Sequence, residues 1–227
     1  MVSTAFFRPL VVPVLAALVL AGCAGGGGRK PAPTRPAPVV KERPRLSTSE
    51  LRQCFADLRA ADVRFDALPD RNFPGGCSAI DSVKLLDVGV PVANLGAMQC
   101  PLARAFAQWA YYAAMPAARR FLRGELVKIE TMGSYACRNI NGVAGPAASQ
   151  RSEHAFANAV DVSAFILADG RRVSVKAGWS GASDERQFLR ALHQSACKRF
   201  QTVLGPDYNA AHHDHLHFDM GRGPYCR

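Results

Sequence analysis

The C-terminal part of the chain alternates hydrophobic and polar residues with the period of two that is typical of a half-buried β-strand. Between residues 213 and 220, His215 and His217 alternate with Leu216 and Phe218. Residues two apart on a strand point to the same face of a sheet. The pattern therefore predicts a strand with one apolar face and one face that carries both imidazoles.

A second alternating segment begins at Val160. One set of positions holds Val160, Val162, Ala164 and Ile166, and the other holds Asp161, Ser163 and Phe165. This pattern predicts a strand with a buried aliphatic row and with Asp161 on the opposite face. His154 precedes the strand by a short connection, about the length that a loop or helical turn needs to bring its imidazole back over the strand.

The remaining periodicity predicts helices and strands around these two segments. In the first half we expect a helix over 51–61, with Ser47 as its cap and Glu50 completing a capping box, and a helical hairpin or kinked helix over 101–123, interrupted near Pro116. In the second half we expect a strand over 127–134, an irregular loop over 139–150, a hairpin between strands 161–167 and 172–176, and a helix over 184–203. Strands in the second half and helices elsewhere predict an α+β fold, a single domain in which helices flank a central antiparallel sheet.

Aromatic residues and one isolated histidine fall on the predicted helices. Trp109, Tyr111 and Tyr112 lie in an alanine-rich helical run, and we expect them to pack in the core. The alternative is that one of them lines a substrate groove. His193 belongs to the predicted helix over 184–203, and we expect it at the surface or at the flank of the core.

The N-terminal residues indicate an exported protein. Arg8 precedes a short apolar run, and the following Leu-Ala-Gly-Cys, which ends at Cys23, resembles a bacterial lipobox. The run is too short to span a bilayer and predicts a signal peptide over 1–22, cleaved before a lipidated Cys23. An export signal without lipidation is the alternative. Ala24 is compatible with transfer to an outer membrane, so we expect the protein at the periplasmic face of that membrane, held by its lipid anchor.

Charge and composition separate a tether from a domain. The chain carries a net charge of +10, and much of the excess lies in residues 23–45, which are rich in glycine and proline. Such a segment cannot bury a core and predicts an extended tether, whose basic residues suggest attraction to anionic lipid or cell-wall polymer. Nucleic-acid binding is the other interpretation of so basic a chain, but export argues against it. Residues 46–227 fit one domain, which we expect to be monomeric.

Cysteine usage fits the same compartment. With Cys23 set aside as the anchor, six cysteines remain in the predicted domain: Cys54, Cys77, Cys100, Cys137, Cys197 and Cys226. An even number in an exported domain predicts three disulfides, for which fifteen connectivities are possible. Cysteine ligation of zinc is the weaker alternative, because no CxxC pair occurs.

The candidate chemistry lies in the two alternating segments. Two histidines and one aspartate make a three-ligand zinc set that leaves a coordination position for water, as in catalytic zinc sites. Neutral imidazoles and one carboxylate leave the metal with a net positive charge, which can lower the pKa of a bound water toward ~7. Four of the six histidines lie within 212–217, so the alternative is a solvated loop that binds metal adventitiously. We expect His212 and His213 to form a lip over the site.

The two segments also resemble known motifs. Residues 152–161 resemble the SxHxxGxAxD motif of the D-Ala-D-Ala peptidase branch of the LAS metallopeptidases (lysostaphin, D-alanyl-D-alanine peptidases and sonic hedgehog), and residues 215–217 resemble their HxH. Ala157 stands where that family usually has glycine. The stretch from about Cys54 to Cys226, including residues 133–138 and 213–219, further resembles the bacterial extensin-like C-terminal domain family.

The resemblance implies a role for each matching residue. His154, Asp161 and His217 would bind Zn²⁺, and His215 would be a catalytic partner rather than a ligand. Asp214 matches a carboxylate, three residues before the last histidine, that commonly acts as general base. The proton acceptor therefore stays open between Asp214 and His215.

Three further positions match residues near the substrate. Arg138 matches an arginine that would hold a substrate carboxylate or the developing oxyanion, although a structural ion pair is the alternative. Ser152 and Gln150 match positions that contact substrate. The implied function is a zinc-dependent peptidase, of D,D-endopeptidase or carboxypeptidase type, that hydrolyses stem peptides or cross-links of peptidoglycan. A zinc-containing peptidoglycan-binding or structural envelope lipoprotein without activity is the alternative.

Overall fold

A computed structural model describes residues 45–227 of the chain. The predicted signal peptide over 1–22, the lipidated Cys23 and the tether up to residue 44 lie outside the described residues. Within 45–227, no helix combines the length and the apolar character needed to cross a membrane.

The helices agree with the predicted pattern in part. They are α1 Thr48–Ala60, α2 Cys100–Trp109, α3 Met115–Ala117, α4 Val175–Gly178 and α5 Ser183–Ala196. The capping box of α1 is confirmed, because Ser47 Oγ accepts a hydrogen bond from the backbone N–H of Glu50 and the Glu50 carboxylate accepts one from that of Ser47. The predicted end of the last helix near Val203 is wrong. Phe200 and Val203 continue the apolar period of the helix, but they lie in the turn after the helix and in the next strand, Thr202–Leu204. Both side chains are buried there.

The run after Pro101 does not form a hairpin. The chain stays helical from Cys100 to Leu122, with π-helical turns at Ala110–Ala114 and Ala118–Leu122 on either side of α3. Pro116 lies in α3, between the two wider turns, and lacks the backbone N–H that a regular helix uses. The run ends at Arg123, which adopts a left-handed conformation with φ 53°.

Twelve strands lie among the described residues. They are β1 Arg64–Ala67, β2 Arg71–Phe73, β3 Cys77–Ala79, β4 Ser82–Asp87, β5 Val92–Ala93, β6 Met98–Gln99, β7 Leu126–Gly133, β8 Ala159–Leu167, β9 Arg172–Ser174, β10 Thr202–Leu204, β11 Leu216–Asp219 and β12 Tyr225–Cys226. The expectation of strands in the second half and helices elsewhere is therefore met only in part, because six short strands lie in the first half. The six short strands of the first half form a three-stranded sheet, β1-β4-β6, and the hairpin β2-β3, while β5 joins the large sheet.

The large sheet is the central element of the fold. Its strand order is β12-β10-β11-β8-β7-β5, and β9 also pairs with β8. The pairs around β8 are antiparallel, as predicted, including the hairpin of β8 and β9. The edge strands β5 and β12 run parallel to their neighbours. The mixed helix-and-sheet class is confirmed, with antiparallel pairing at the centre of the sheet.

A bulge changes the face of one residue in β8. The pairing of β7 with β8 skips Ser163, which is an extra residue on β8. A bulge of this kind shifts the alternation of side chains by one position. Phe165 therefore lies in the hydrophobic core with Val160 and Val162, and not on the face of Asp161 as simple alternation predicts.

Trp109 occupies the centre of the core beneath the sheet. It is fully buried, and its ring centroid lies 4.9 Å from that of Phe218 on the reverse face of β11. Its indole N–H donates to the carbonyl of Leu192, which anchors the helix run to α5. Core packing is thus confirmed for Trp109 and wrong for Tyr111 and Tyr112, which are 58% and 65% exposed because they lie on the outer side of the π-helical turn.

Three disulfides are confirmed, and the structure assigns their connectivity. Cys54–Cys100 joins α1 to α2, Cys77–Cys137 joins β3 to the segment after β7, and Cys197–Cys226 joins the end of α5 to β12. Each bond restricts the unfolded chain and typically contributes about 2–4 kcal/mol of stability. The last two tie down segments that border the candidate site.

Candidate metal centre

The two alternating strands bring an aspartate and a histidine together. His217 of β11 and Asp161 of β8 are direct cross-strand partners. Leu216 and Phe218 point into the core from the opposite face of β11 and are fully buried. Because the apolar face fixes the register of the strand, the imidazole of His217 is held over the neighbouring carboxylate.

His154 reaches the same point from a short turn. Glu153–Phe156 forms one turn of 3₁₀ helix just before β8, and Ser152 Oγ caps it by accepting the backbone N–H of His154 at 3.3 Å. Ala157 ends the turn with φ 54°. This left-handed conformation costs an alanine about 1–2 kcal/mol and a glycine nothing, so the backbone at this position favours glycine.

The donor atoms of these three side chains converge. His217 Nδ1 lies 2.8 Å from Asp161 Oδ1, and His154 Nε2 lies 3.0 Å from Asp161 Oδ2. The two imidazole nitrogens are 3.3 Å apart. In a tetrahedral zinc site with bonds of about 2.0–2.2 Å, neighbouring donors lie about 3.3 Å apart. The donor types and spacing therefore fit Zn²⁺, and the three residues are those that the sequence analysis selects.

Burial and charge perturb the acid and the base of this cluster in opposite directions. Burial alone would raise the pKa of Asp161, but hydrogen bonds and charge from His154 and His217 hold that pKa well below its usual value. Burial alone would lower the pKa of His217, but hydrogen bonds and charge from Asp161 and Asp219 raise it to about 9. An ionised carboxylate is thus in place for a cation, while His217 must give up a proton to bind one.

Proton release on zinc binding follows from the raised pKa of His217. In protein without metal at pH 7.5, this imidazole is protonated, since its pKa is raised to about 9. A metal ligand must be deprotonated, so zinc binding is expected to release about one proton at this pH and to strengthen as the pH rises toward 9. Calorimetric titration with Zn²⁺ in buffers of different ionisation enthalpy measures the release. A binding enthalpy independent of the buffer would contradict the prediction.

Asp219 is a further candidate residue of this site, and neither sequence motif includes it. Its Oδ2 lies 3.0 Å from His217 Nε2, the ring nitrogen that faces away from the other two ligands, and its Oδ1 accepts the backbone N–H of Gly221. A carboxylate on the second nitrogen of a ligand histidine fixes the orientation of the ring and increases its basicity. The signal was available, because Asp219 continues the period of two set by His215 and His217.

Replacing Asp219 with asparagine is expected to weaken zinc binding by about 10- to 100-fold, since His217 loses the carboxylate that contacts its Nε2. Asp214→Asn is the matched control, because Asp214 contacts His215 and none of the three ligands. Competition with a chromophoric chelator measures both affinities. Equal affinities in the Asp219 and Asp214 variants would show that Asp219 does not support the site.

His215 lies beside the cluster with its own carboxylate partner. Its Nδ1 is 2.9 Å from Asp214 Oδ1, and its Nε2 is 3.6 Å from Asp161 Oδ1. Burial alone would raise the pKa of Asp214, but the hydrogen bond to His215 and the charges of His213 and His215 lower it. Nε2 of the His215 imidazole therefore points toward the three candidate ligands, while Nδ1, on the other side of the ring, contacts the ionised carboxylate of Asp214.

His212 and His213 lie on a turn at the edge of the site, in a position that fits the predicted lip. The ring centroid of His212 is 5.8 Å from that of His217. Burial, followed by the like charges of His217 and His215, lowers the pKa of His212 to about 4. His212 is therefore neutral at pH 7 and adds no positive charge where a cation would bind. His213 is exposed, and its Nδ1 lies 2.8 Å from the carbonyl of Ala210.

A cleft of about 1140 Å³ lies over the cluster. Arg138 and Gln150, two of the residues whose sequence positions suggest contact with a substrate, line it. The Arg138 guanidinium donates to the carbonyl of Asn139, and among residues 45–227 no carboxylate lies within ion-pair distance of it. Ser152 also lines the cleft, but it is buried, and its hydroxyl accepts the N–H of His154. Of these residues, Arg138 is the one with charge available to a ligand.

Fold and site together define a disulfide-stabilised α+β domain in which a buried cluster of two histidines and one aspartate adjoins a cleft. The chain matches the family described as Extensin-like protein C-terminus over residues 52–227, and it belongs to this family. The predicted family membership is therefore confirmed. Comparison with curated proteins and with solved structures finds no match.

Proposed function

We propose that the protein is a zinc-dependent peptidase that hydrolyses stem peptides or cross-links of peptidoglycan, with a metal site of the kind found in LAS metallopeptidases. One observation carries the proposal. His154, Asp161 and His217 converge beside a cleft that Asp161 and His217 line, and the His215–Asp214 pair lies directly beside them. A metal set with three ligands and an adjacent proton acceptor is the arrangement that hydrolysis requires.

Zinc held by His154, Asp161 and His217 would lower the pKa of a coordinated water toward ~7 and polarise the carbonyl of a bound peptide. Two neutral imidazoles and one carboxylate leave such a site with a net positive charge. Asp219 orients His217 through its far nitrogen. The protein's own contribution at the metal is thus a fixed donor geometry, held by two paired strands and by the 3₁₀ turn that carries His154.

His215 is the residue best suited to transfer the proton. Its Nε2 faces the ligand cluster, and Asp214 fixes the ring through Nδ1. The lowered pKa of Asp214 makes that carboxylate a weak base at neutral pH, whereas histidine is the commonest general base in enzymes. His215 would take the proton of the attacking water and return it to the leaving amine.

Arg138 would bind the negative charge of the substrate. Its guanidinium lines the cleft without an ion-pair partner among residues 45–227. Arginine presents several N–H donors in a plane and matches a carboxylate or a developing oxyanion. Disulfide Cys77–Cys137 fixes the chain one residue before Arg138 and so supports its position.

The proposed location is the cell envelope, at the periplasmic face of the outer membrane. Three disulfides within residues 45–227 favour an oxidising compartment. Peptidoglycan lies in that compartment, within reach of a protein anchored through Cys23. The domain is proposed to act there as a monomer.

Digestion of purified peptidoglycan tests the proposal. The full chain, loaded with zinc, is incubated with peptidoglycan and the soluble products are identified by mass spectrometry, beside a sample treated with a chelator. New peptide ends are expected only in the zinc-loaded sample, and their chemistry identifies the bond as D,D or L,D. Tight binding to peptidoglycan without new ends would contradict the peptidase proposal and would support a non-catalytic envelope protein.

A further inference from the structure

The site face of the large sheet continues past the metal ligands toward β12. Leu204 of β10 is the cross-strand partner of His217, and Thr202 is that of Asp219. Beyond β10, Tyr225 of β12 pairs with Thr202. Leu204, Thr202 and Tyr225 all line the cleft. Since neighbouring strands are about 4.8 Å apart, Tyr225 lies roughly 10 Å from the metal ligands along the sheet.

The cleft also extends in the opposite direction. β7 lies on the other side of β8, and Met132 near its end lines the cleft with Arg138 and Ile140 of the following loop. The metal ligands on β8 and β11 occupy the middle of this row of strands. The cleft therefore offers contacts on both sides of the metal centre.

The side toward β12 has its own polar chemistry. The rings of Tyr208 and Tyr225 pack edge to face with their centroids 5.9 Å apart. The Tyr208 centroid lies 5.4 Å from that of His212, which is next to the candidate metal ligands. Arg222 lines the same part of the cleft and is exposed. Its carbonyl accepts the Thr202 hydroxyl at 3.0 Å, which fixes its backbone next to β10. No carboxylate among residues 45–227 lies within ion-pair distance of its guanidinium.

We infer that this part of the cleft is a second substrate subsite for a carboxylate-bearing peptide segment. The β12 subsite consists of Thr202, Leu204, Tyr208, Arg222 and Tyr225. Tyrosine rings provide rigid walls for a peptide, and the free guanidinium of Arg222 supplies donors that match a carboxylate. At about 3.3 Å per residue, an extended peptide that starts at the metal centre crosses the subsite in about three residues.

The β12 subsite bears on which bond is cut, and this step rests on the proposed function. A peptide end bound for trimming needs contacts on one side of the scissile bond and a short pocket on the other. Here both sides of the metal centre have room, with Arg138 on one side and Arg222 on the other. A peptide that fills both is cut at an internal bond, so the substrate class is a cross-linked peptide with carboxylates on both sides of the link.

Binding measurements test the β12 subsite without requiring turnover. The probes are a cross-linked stem-peptide dimer and the uncross-linked stem pentapeptide, both released from purified peptidoglycan. Calorimetry measures their affinity for the full chain, loaded with zinc and carrying His215→Ala so that the peptides are not cut. Adding Arg222→Gln is expected to weaken dimer binding by about tenfold, because a charge-assisted hydrogen bond is lost, and to change pentapeptide binding by less than about twofold.

Two further variants separate a local contact from a general effect. Arg120→Gln removes the same charge from an exposed arginine that does not line the cleft, and it is expected to leave both affinities unchanged. Tyr225→Ala, at a residue that is 41% exposed, is expected to weaken dimer binding selectively, as Arg222→Gln does. Thermal unfolding of each variant verifies that the fold is intact.

Several results would overturn the β12 subsite. One such result is that Arg222→Gln leaves the affinity for the dimer unchanged, as Arg120→Gln is expected to do. Another is that it weakens binding of the dimer and the pentapeptide equally. Either result would exclude a specific contact of Arg222 with the part of the dimer beyond the scissile bond. The proposed function fails separately: if the zinc-loaded wild-type protein cleaves neither peptide, peptidase activity is wrong, and the binding comparison still decides the subsite.

Discussion

Replacement of His215 with alanine is expected to reduce peptidoglycan cleavage by about 10²- to 10⁴-fold while zinc stays bound. His215 lies beside the cluster and is held by Asp214, and His154, Asp161 and His217 supply three ligands without it. Loss of the imidazole would remove the proton acceptor but not the metal. Initial rates of peptide release and the zinc content of the same preparation measure the two effects.

His213→Ala is the matched control for this experiment. His213 lies two residues away and is exposed, and its Nδ1 lies 2.8 Å from the carbonyl oxygen of Ala210. Its Nε2 lies 3.7 Å from Asp214 Oδ2, but it contacts none of the three candidate ligands. Its loss is expected to change the rate by less than about threefold, since it reaches His215 only through an exposed, solvent-screened contact with Asp214. Loss of zinc from the His215 variant would show that His215 is itself a ligand. Full activity in the His215 variant would show that His215 does not transfer the proton. Binding to peptidoglycan without any cleavage by the wild-type protein would favour the alternative of a non-catalytic peptidoglycan-binding protein.

Trp109→Ala is expected to lower the free energy of unfolding by about 3–5 kcal/mol, because it removes a large side chain from the core. The side chain is fully buried and packs against Phe218 on the core side of β11, the strand that carries His217. Its removal leaves a large cavity and deprives the Leu192 carbonyl and the Ser195 hydroxyl of a hydrogen-bond donor. Chemical denaturation with the disulfides intact measures the change.

Tyr112→Ala provides the comparison within the same helical run. Tyr112 is 65% exposed, so its replacement is expected to cost less than about 1 kcal/mol. Similar losses at positions 109 and 112 would contradict the description of the core. A Trp109 variant that remains folded is also expected to bind zinc more weakly, because Phe218 and His217 are neighbours on β11 and a cavity behind the strand loosens its register.

The candidate ligands could be selected from the sequence because local patterning fixes where they point. Leu216 and Phe218 define the buried face of β11, so the imidazole of His217 has only the other face available. Val160 does the same for Asp161. The capping box at Ser47 and the hairpin between β8 and β9 likewise depend on near neighbours in sequence, and both are confirmed.

Features that depend on distant contacts could not be predicted in this way. The bulge at Ser163 arises from pairing with β7, and it moves Phe165 to the opposite face. The π-helical turns around α3 expose Tyr111 and Tyr112, although their composition is that of a core. Nothing local distinguishes the three observed disulfides from the other connectivities.

The first half of the chain was the least predictable. The six strands between residues 64 and 99 are two to six residues long, too short to show a clear alternation. Their stability depends on partners far along the sequence, such as β7 for β5. The proposed β12 subsite could not be predicted for the same reason. Arg222 and Tyr225 reach the cleft only because β12 pairs with β10.

The most direct test of the central claim is the zinc content of the purified full chain beside that of its His154→Ala variant. Elemental analysis after dialysis against metal-free buffer gives the number of metal ions per chain. The three-ligand site predicts about one zinc per chain in the wild-type protein and almost none in the variant, with release of peptidoglycan peptides lost in parallel. Wild-type protein without zinc, or a variant that retains it, would contradict a metal centre built from His154, Asp161 and His217.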